Sequence, residues 1–114
     1  MNITPQESAV DSAADRVFRA LADPSRRRLL DRMRVKGGCT LNELCSGMAM
    51  TRQAVTKHLT ILEAANLVVL LWKGRERLHY LNPVPIHEID KRWILPFEHV
   101  RLDALHHLKK QLED

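Results

Sequence analysis

Residues 51–67 read TRQAVTKHLTILEAANL, and their apolar positions recur at the spacing of an amphipathic helix. One side of that helix carries Ala54, Val55, Leu59 and Leu62, which are suited to pack against a core. The other side carries polar residues: Arg52, Gln53, Thr56, Lys57 and Thr60. Hydroxyl, amide and cationic groups bond base edges and phosphate oxygens, so the stretch is typical of a recognition helix that contacts nucleic acid.

A shorter helix is predicted just upstream, in the stretch TLNELCSG at residues 40–47. Thr40 and Glu43 have the spacing of a capping box, in which each side chain bonds the backbone N–H of the other residue. Gly47 ends this helix, and the residues after it leave room for a tight turn before Thr51 caps the longer helix. Two helices joined in this way form a helix-turn-helix.

Two apolar stretches downstream, residues 67–72 and 78–81, predict a β-hairpin. They flank the sequence KGRER, in which Gly74 permits a tight reversal, so the hairpin is a wing with a basic tip. Asn66 tolerates the left-handed conformation and ends the preceding helix. Because residues 68–71 are apolar without alternation, we expect a helix or a partner chain to cover part of the second face of this strand.

The first third of the chain predicts two further helices. Residues 1–11 are polar and expected to be flexible, and Ser12 caps a helix that has Val17 and Phe18 on its apolar face. A second helix follows Asp23, with a proline at its first position, and ends at a pair of glycines. It begins with three successive arginines, a run that could reach phosphate but is more commonly a solvated helix face.

The C-terminal segment, residues 84–114, carries more apolar surface than a lone exposed helix can leave uncovered. We therefore predict that it forms one or two dimerisation helices, and that Pro96 kinks or splits it by removing a backbone hydrogen bond. Packing is favoured over ligand stacking for its aromatic residues. The predicted dimer interface joins N- and C-terminal helices and comprises Val17, Phe18, Trp93, Phe97, Val100, Leu105 and Leu108.

Length and charge indicate one DNA-binding domain. The 114 residues fit a single domain, residues 1–114, of a mainly α fold with a small β-hairpin. Residues 23–80 contain eleven Lys and Arg against five Asp and Glu, whereas both ends are slightly acidic. A basic block confined to the helix-turn-helix is the charge pattern of a surface that binds duplex DNA.

The location of the protein is predicted from what the sequence lacks. No apolar run is long enough to span a bilayer, and the N-terminus has no signal-peptide pattern, so we expect a cytoplasmic protein without membrane contact. Its two cysteines are too few for a disulfide framework.

Four segments in order resemble the ArsR/SmtB family of bacterial winged-helix repressors. They are VFRALADPSRRRLL, LNEL, TRQAVTKHLTILEAANLV and the wing KGRERLHYLNP, and the match runs from Asp15 to about Pro85. The resemblance implies a dimeric regulator, usually a repressor, that binds double-stranded DNA at an operator. By matching position it implies that Thr51, Arg52, Gln53, Thr56, Lys57 and His58 lie at the major groove or adjacent phosphates, with Lys73, Arg75 and Arg77 of the wing beside the backbone or minor groove.

The metal sites of that family are missing at the matching positions. The Cys-x-Cys of the arsenic-type site corresponds to Thr40 and Asn42, and no aspartate has a histidine two residues later, as the zinc-type site requires. Cys39 and Cys45 offer two ligands at most, and Cys45 shares the apolar face of its helix, so a structural role is favoured. We therefore predict no metal and no cofactor.

Three function classes remain, in order. The first is a homodimeric, sequence-specific transcriptional regulator that acts as a repressor on a palindromic operator. Its effector is unknown, and a metal- or thiol-responsive site of unfamiliar form is an alternative. The second is a winged-helix protein-interaction module that no longer binds DNA, which the charge of residues 23–80 disfavours. The third is an enzyme, which we predict against because the sequence has no nucleophile or phosphate-loop motif.

Overall fold

Six helices and one β-hairpin make up the described parts of the chain, residues 5–97 and 99–113, in a computed structural model. Side chains are described for residues 12–97 and 101–113. In order the elements are α1 (Pro5–Leu21), α2 (Pro24–Lys36), α3 (Leu41–Cys45), α4 (Arg52–Ala64), β1 (Val68–Lys73), β2 (Glu76–Leu81), α5 (Val84–Trp93) and α6 (His99–Glu113). No helix in these ranges has both the length and the apolar character needed to cross a membrane.

The helix α1 begins at Pro5, earlier than the predicted start at Ser12. Proline at the first helical position loses nothing, because the N–H that it lacks would have had no partner there. The two turns between these residues contain few strong helix breakers, so nothing local stops the helix at Ser12. The flexibility expected for residues 1–11 stays a prediction, and residues 1–4 lie outside the described part of the chain.

The predicted ends of α2 are confirmed. The Arg26 backbone N–H donates to Asp23 Oδ2 at 3.1 Å, which satisfies a donor that the first turn of the helix leaves unpaired. At the other end Gly37 adopts a φ of 88°, and its N–H donates to Met33 O at 2.8 Å. The positive φ suits a residue without a Cβ, so the chain can turn there.

The helix-turn-helix consists of α3 and α4, and its predicted caps are confirmed. The capping box is complete: Glu43 N–H donates to Thr40 Oγ1 at 3.2 Å, and Thr40 N–H donates to Glu43 Oε1 at 3.0 Å. Ala54 N–H donates to Thr51 Oγ1 at 3.1 Å and so fixes the start of α4. Asn66 ends the segment with a φ of 62°, in the left-handed region as predicted.

The strands β1 and β2 pair as an antiparallel hairpin and reach further toward its tip than predicted. The register runs from Val68 opposite Leu81 to Lys73 opposite Glu76, so only Gly74 and the next residue remain for the turn. Opposite charges facing each other across the strands, with a φ of 63° at Gly74, favour this shorter turn.

The sheet is tied to the end of α2 by an isolated bridge between Cys39 and His79. Cys39 N–H donates to His79 O at 3.0 Å, and His79 N–H donates to Cys39 O at 2.7 Å. Since β2 is bonded on both sides, β1 is left with one strand neighbour. Val69 and Leu71 on β1 are 38% and 54% exposed, so among the described residues no helix covers that face, and of the two predicted covers only a partner chain remains. Cover by a partner chain stays a prediction.

One hydrophobic core joins the helix-turn-helix to the rest of the chain. It contains residues from α1, α2, α3, α4 and the start of β1, and those with an exposed fraction below 2% are Ala20, Leu29, Met33, Leu44, Val55, Leu62 and Leu67. The apolar side of α4 lies in this core, as predicted from its spacing. The core therefore holds α4 from one side only, and its polar side faces outward.

Pro96 lies between α5 and α6, so of the two predicted outcomes, a kink or a split of the C-terminal segment, the structure has the split. A helix running through this point would lose a hydrogen bond and place the proline ring against the preceding turn. From Arg101 to Glu113 every residue except Leu102 is exposed, so α6 contributes little to the core.

Candidate nucleic-acid interface

The outward side of α4 carries the polar residues that the sequence assigned to it. Thr51, Arg52, Gln53, Thr56, Lys57 and Thr60 are all exposed. The hydroxyl of Thr56 donates to Arg52 O at 2.9 Å, and that of Thr60 donates to Thr56 O at 3.0 Å. Since these protons are used within the helix, both hydroxyl oxygens keep only acceptor capacity, which suits the amino groups of adenine or cytosine.

His58 does not share this exposed side. Its ring is half-buried, and Arg26 Nη1 lies 3.2 Å from His58 Nδ1 and donates to it. This bond joins α4 to the junction of α1 and α2, and the position that the resemblance implies for His58, at the major groove or adjacent phosphates, stays a prediction. The sequence left open whether His58 binds phosphate or supports its helix, because the helical period alone puts it between the two faces.

Arg26 connects three helices at that junction. Its Nε donates to Ala20 O at 2.8 Å, and its Nη2 donates to Arg19 O at 2.9 Å, which also accepts from the Ala22 N–H at 3.3 Å. The guanidinium therefore bonds carbonyls of the last turn of α1. Arg27 Nη1 donates to Leu21 O at 2.6 Å in the same way. This role for the two arginines was not predicted from the sequence. The sequence feature that could have indicated it is a short break between two helices, followed by cations in the first turn of the second helix.

Asp23 lies beside this group and caps α2. The hydrogen bond from the Arg26 backbone N–H holds the pKa of Asp23 below its ordinary value, and the nearby Arg26 guanidinium adds to the effect. A carboxylate at the N-terminus of α2 is also favoured by the helix dipole.

The wing approaches the start of the helix-turn-helix across a cleft of about 350 Å³. The lining residues are Thr40, Leu41, Asn42, Arg52, Arg75, Glu76 and Arg77. The cleft thus gathers three arginines and one carboxylate, which makes it a positive surface between helix and wing. Lys73, Arg75 and Arg77 are exposed, and the Arg77 guanidinium lies 5.9 Å from the ring centroid of the exposed Trp72. Arg52 Nη1 donates to Asn42 Oδ1, which the sequence analysis did not foresee.

The thiols and the wing histidine belong to the core. Cys39 is 2% exposed and His79 is 8% exposed, and the His79 Nδ1–H donates to Cys39 O at 3.0 Å. Cys45 is half-buried and packs against the core, in line with the structural role favoured for it. Within residues 5–97 and 99–113 no three His, Cys, Asp or Glu side chains are placed to hold a metal ion. The absence of a metal effector stays a prediction.

The predicted dimer surface is largely apolar and exposed. Phe18 and Trp93 are 44% and 47% exposed, and their ring centroids are 5.7 Å apart, so they join α1 to α5. Phe97, Leu105 and Leu108 are each more than half exposed. Val17 differs from these: at 3% exposure it packs mainly into the core of its own chain, although it also lines a groove between α1 and α5, so its place in the dimer interface stays a prediction. Val100 lies outside the residues whose side chains are described.

Comparison with known proteins places residues 21–70 in a family described as a helix-turn-helix domain. The chain is 38% identical over 86 residues to the uncharacterized HTH-type transcriptional regulator YuzN of Bacillus subtilis, covering 70% of this chain and 94% of YuzN. It is 30% identical over 82 residues to the transcriptional repressor SdpR of the same organism, covering 71% of this chain and 88% of SdpR.

A solved structure shares the fold. The homodimeric winged helix-turn-helix DNA-binding domain of Mb0332 from Mycobacterium bovis, a possible ArsR-family transcriptional regulator, superposes with a TM-score of 0.64. The match covers 87% of this chain and 92% of that domain at 18% sequence identity. Matches at this identity establish the fold, and here the fold is a winged helix-turn-helix.

Proposed function

Because the chain belongs to the HTH-type transcriptional regulators and shares the winged helix-turn-helix fold, we propose that it is an ArsR-family regulator and that it represses transcription as a homodimer bound to a palindromic operator. The family makes it a DNA-binding regulator. We further propose that residues 1–114 act as one domain in the cytoplasm, that residues 84–114 supply the dimerisation helices, and that no residue is catalytic.

The outward side of α4 is proposed to enter the major groove. Arg52 and Gln53 lie in its first turn, where side chains of a recognition helix contact base edges. An arginine can bond guanine O6 and N7 together, and a glutamine can bond adenine N6 and N7. Lys57 is proposed to contact phosphate, and the hydroxyl oxygens of Thr56 and Thr60 are proposed to accept from base amino groups. Thr51 Oγ1 accepts the cap bond from Ala54 N–H, so its hydroxyl is proposed to donate to DNA.

The wing is proposed to hold the DNA backbone. Lys73, Arg75 and Arg77 are exposed at or near its tip, and two of them line the same cleft as Arg52. A strand that passes between helix and wing would meet positive charge on both sides. Such contacts supply affinity that does not depend on sequence.

The dimer is proposed to form through α1, α5 and α6. Phe18 on α1, Trp93 on α5 and Phe97 between α5 and α6 are exposed. So are three leucines of α6: Leu105, Leu108 and Leu112. Beside them a groove of about 480 Å³ is lined mainly by apolar atoms of α1 and α5, including Ala13, Ala14 and Ile89. Burial of such a surface against a second copy would present two α4 helices to successive major grooves about 34 Å apart.

One observation carries the proposal: the core holds α4 by its apolar side, while its polar side faces outward beside the three-arginine cleft. Selection of bound duplexes from a random pool, at low and moderate salt, tests it. We expect enrichment of an imperfect palindrome whose half-sites lie about one helical turn apart, with affinity falling steeply as salt rises. A chain that enriched no sequence at either salt concentration would instead fit a protein-interaction module.

A further inference from the structure

Asn42, on α3, contacts the residue proposed to read a base from α4. The Arg52 guanidinium donates through Nη1 to the Asn42 side-chain oxygen, and both residues are exposed. We propose that Asn42 is a positioning residue, which holds the Arg52 guanidinium in one orientation for base contact. The inference rests on the proposed function, because Arg52 must contact DNA for its orientation to matter.

The chemistry of the pair leaves Arg52 able to bind a base. A guanidinium has five N–H donors, of which the Asn42 carbonyl takes one and a bidentate guanine contact takes two. Asn42 is neutral, so it orients Arg52 without cancelling the positive charge that attracts DNA, as an aspartate would. An unrestrained arginine has many rotamers, and it must give up that freedom when it binds.

The backbone beneath Asn42 is fixed from several directions. The capping box of Thr40 and Glu43 closes the start of α3, and Leu44 in the same helix is fully buried. Arg32 Nη1 also donates to Glu43 O at 3.1 Å and to Leu44 O at 3.0 Å. A side chain on so short a helix can orient a neighbour only if its own backbone is held in this way.

The surroundings explain why Arg52 needs orienting. It lines the cleft that also contains Arg75, Arg77 and the Glu76 carboxylate. Released from Asn42, the Arg52 guanidinium would be drawn toward Glu76 or toward any phosphate in the cleft, and neither contact reports base identity. The bond to Asn42 therefore favours base contact over these alternatives.

The test uses Asn42→Ala, with Ser46→Ala at the other end of α3 as a matched control. Ser46 is exposed, and its bond to Asn42 O comes from its backbone N–H, so the substitution leaves that bond intact. Binding is measured to the duplex that the wild-type protein enriches from a random pool, to its single-base-pair variants and to random duplex. Unfolding temperature is measured in parallel.

We expect Asn42→Ala to weaken binding to the enriched duplex by about two- to tenfold, which corresponds to the freedom of one long side chain. Random-duplex affinity and unfolding temperature should match those of the control, because both residues of the pair are exposed. The loss of discrimination should fall at the base pairs where Arg52→Ala also loses it. Wild-type affinity for every duplex in Asn42→Ala would overturn the inference.

A double variant separates positioning from direct contact. If Asn42 acts through Arg52, then Asn42→Ala should have no further effect in an Arg52→Ala background. Losses that multiply would mean that Asn42 contacts DNA itself, and the inference would fail while the proposed function stood. A wild-type protein that enriches no sequence would remove the proposed function instead.

Discussion

Arg26 makes hydrogen bonds that connect three helices, α1, α2 and α4. Its guanidinium bonds two carbonyls at the end of α1 and the ring of His58 on α4, while its backbone N–H caps α2 through Asp23. The three helices that surround this residue include the one proposed to read DNA. A cation on α2 therefore helps to set the position of α4 relative to α1.

Replacement of Arg26 by alanine should lower the free energy of unfolding by about 1–3 kcal/mol, because carbonyls at the end of α1 and His58 lose a charged donor. Arg28→Ala, two positions along at an exposed site, should change it by less than about 0.5 kcal/mol. Urea denaturation of both variants measures the difference. Equal stability of the two variants would contradict the role given to Arg26.

The lowered pKa of Asp23 predicts a dependence of stability on pH. Since the carboxylate is favoured in the folded protein, its contribution is complete above its ordinary pKa of 3.8 and is lost as pH falls through the lower folded value. Asp23→Asn keeps a capping oxygen but has no charge to lose. Urea denaturation from pH 6 downward should show a steeper decline for the wild type, and parallel profiles would argue against this linkage.

At the scale of elements, the recognition helix and the wing are proposed to make different kinds of contact with DNA. The outward side of α4 offers several kinds of polar group, which can distinguish bases, whereas the wing offers cations at or near its tip. Polar groups that contact bases give sequence preference, and cations that contact phosphates give affinity that depends on salt.

This division predicts different effects for Arg52→Ala and Arg75→Ala. Loss of Arg52 should cost about 1–3 kcal/mol on the operator and relax preference at one base pair. Loss of Arg75 should weaken operator and random DNA alike, and should reduce the slope of log affinity against log salt by about one. Titrations at several salt concentrations measure both, and an unchanged slope for Arg75→Ala would remove that residue from the interface.

At the scale of the whole molecule, α1, α5 and α6 carry an apolar surface that stays exposed in a single chain. Phe18 on α1 and Trp93 on α5 contact each other, yet each residue is nearly half exposed. The leucines of α6 have no core of their own to enter. A second copy of the chain is proposed to bury them while the core of each chain keeps its packing.

Substitution of Leu105 and Leu108 by glutamine should therefore shift the protein toward monomer and weaken operator binding by at least tenfold, since one recognition helix would remain per molecule. Substitution of the neighbouring His106 and His107 by glutamine is the matched control, because it alters the same turn of α6. Analytical ultracentrifugation gives the oligomeric state. A dimer that survives the leucine substitutions would place the interface elsewhere.

Local chemistry made most of the elements predictable from sequence. The caps at Asp23, Thr40 and Thr51, the left-handed Asn66 and the break at Pro96 each depend on residues within a few positions of one another. The apolar side of α4 was predictable for a related reason, since the helical period assigns residues to faces before any partner is known.

What the sequence by itself determined is therefore the set of elements and the two sides of α4. Only the tertiary structure decided that His58 turns toward Arg26, that Val17 enters the core, that β1 keeps an open face and that Asn42 meets Arg52. Each of these depends on the angle and distance between two elements. The packing of the whole core sets these angles and distances, and no single stretch of sequence determines that packing.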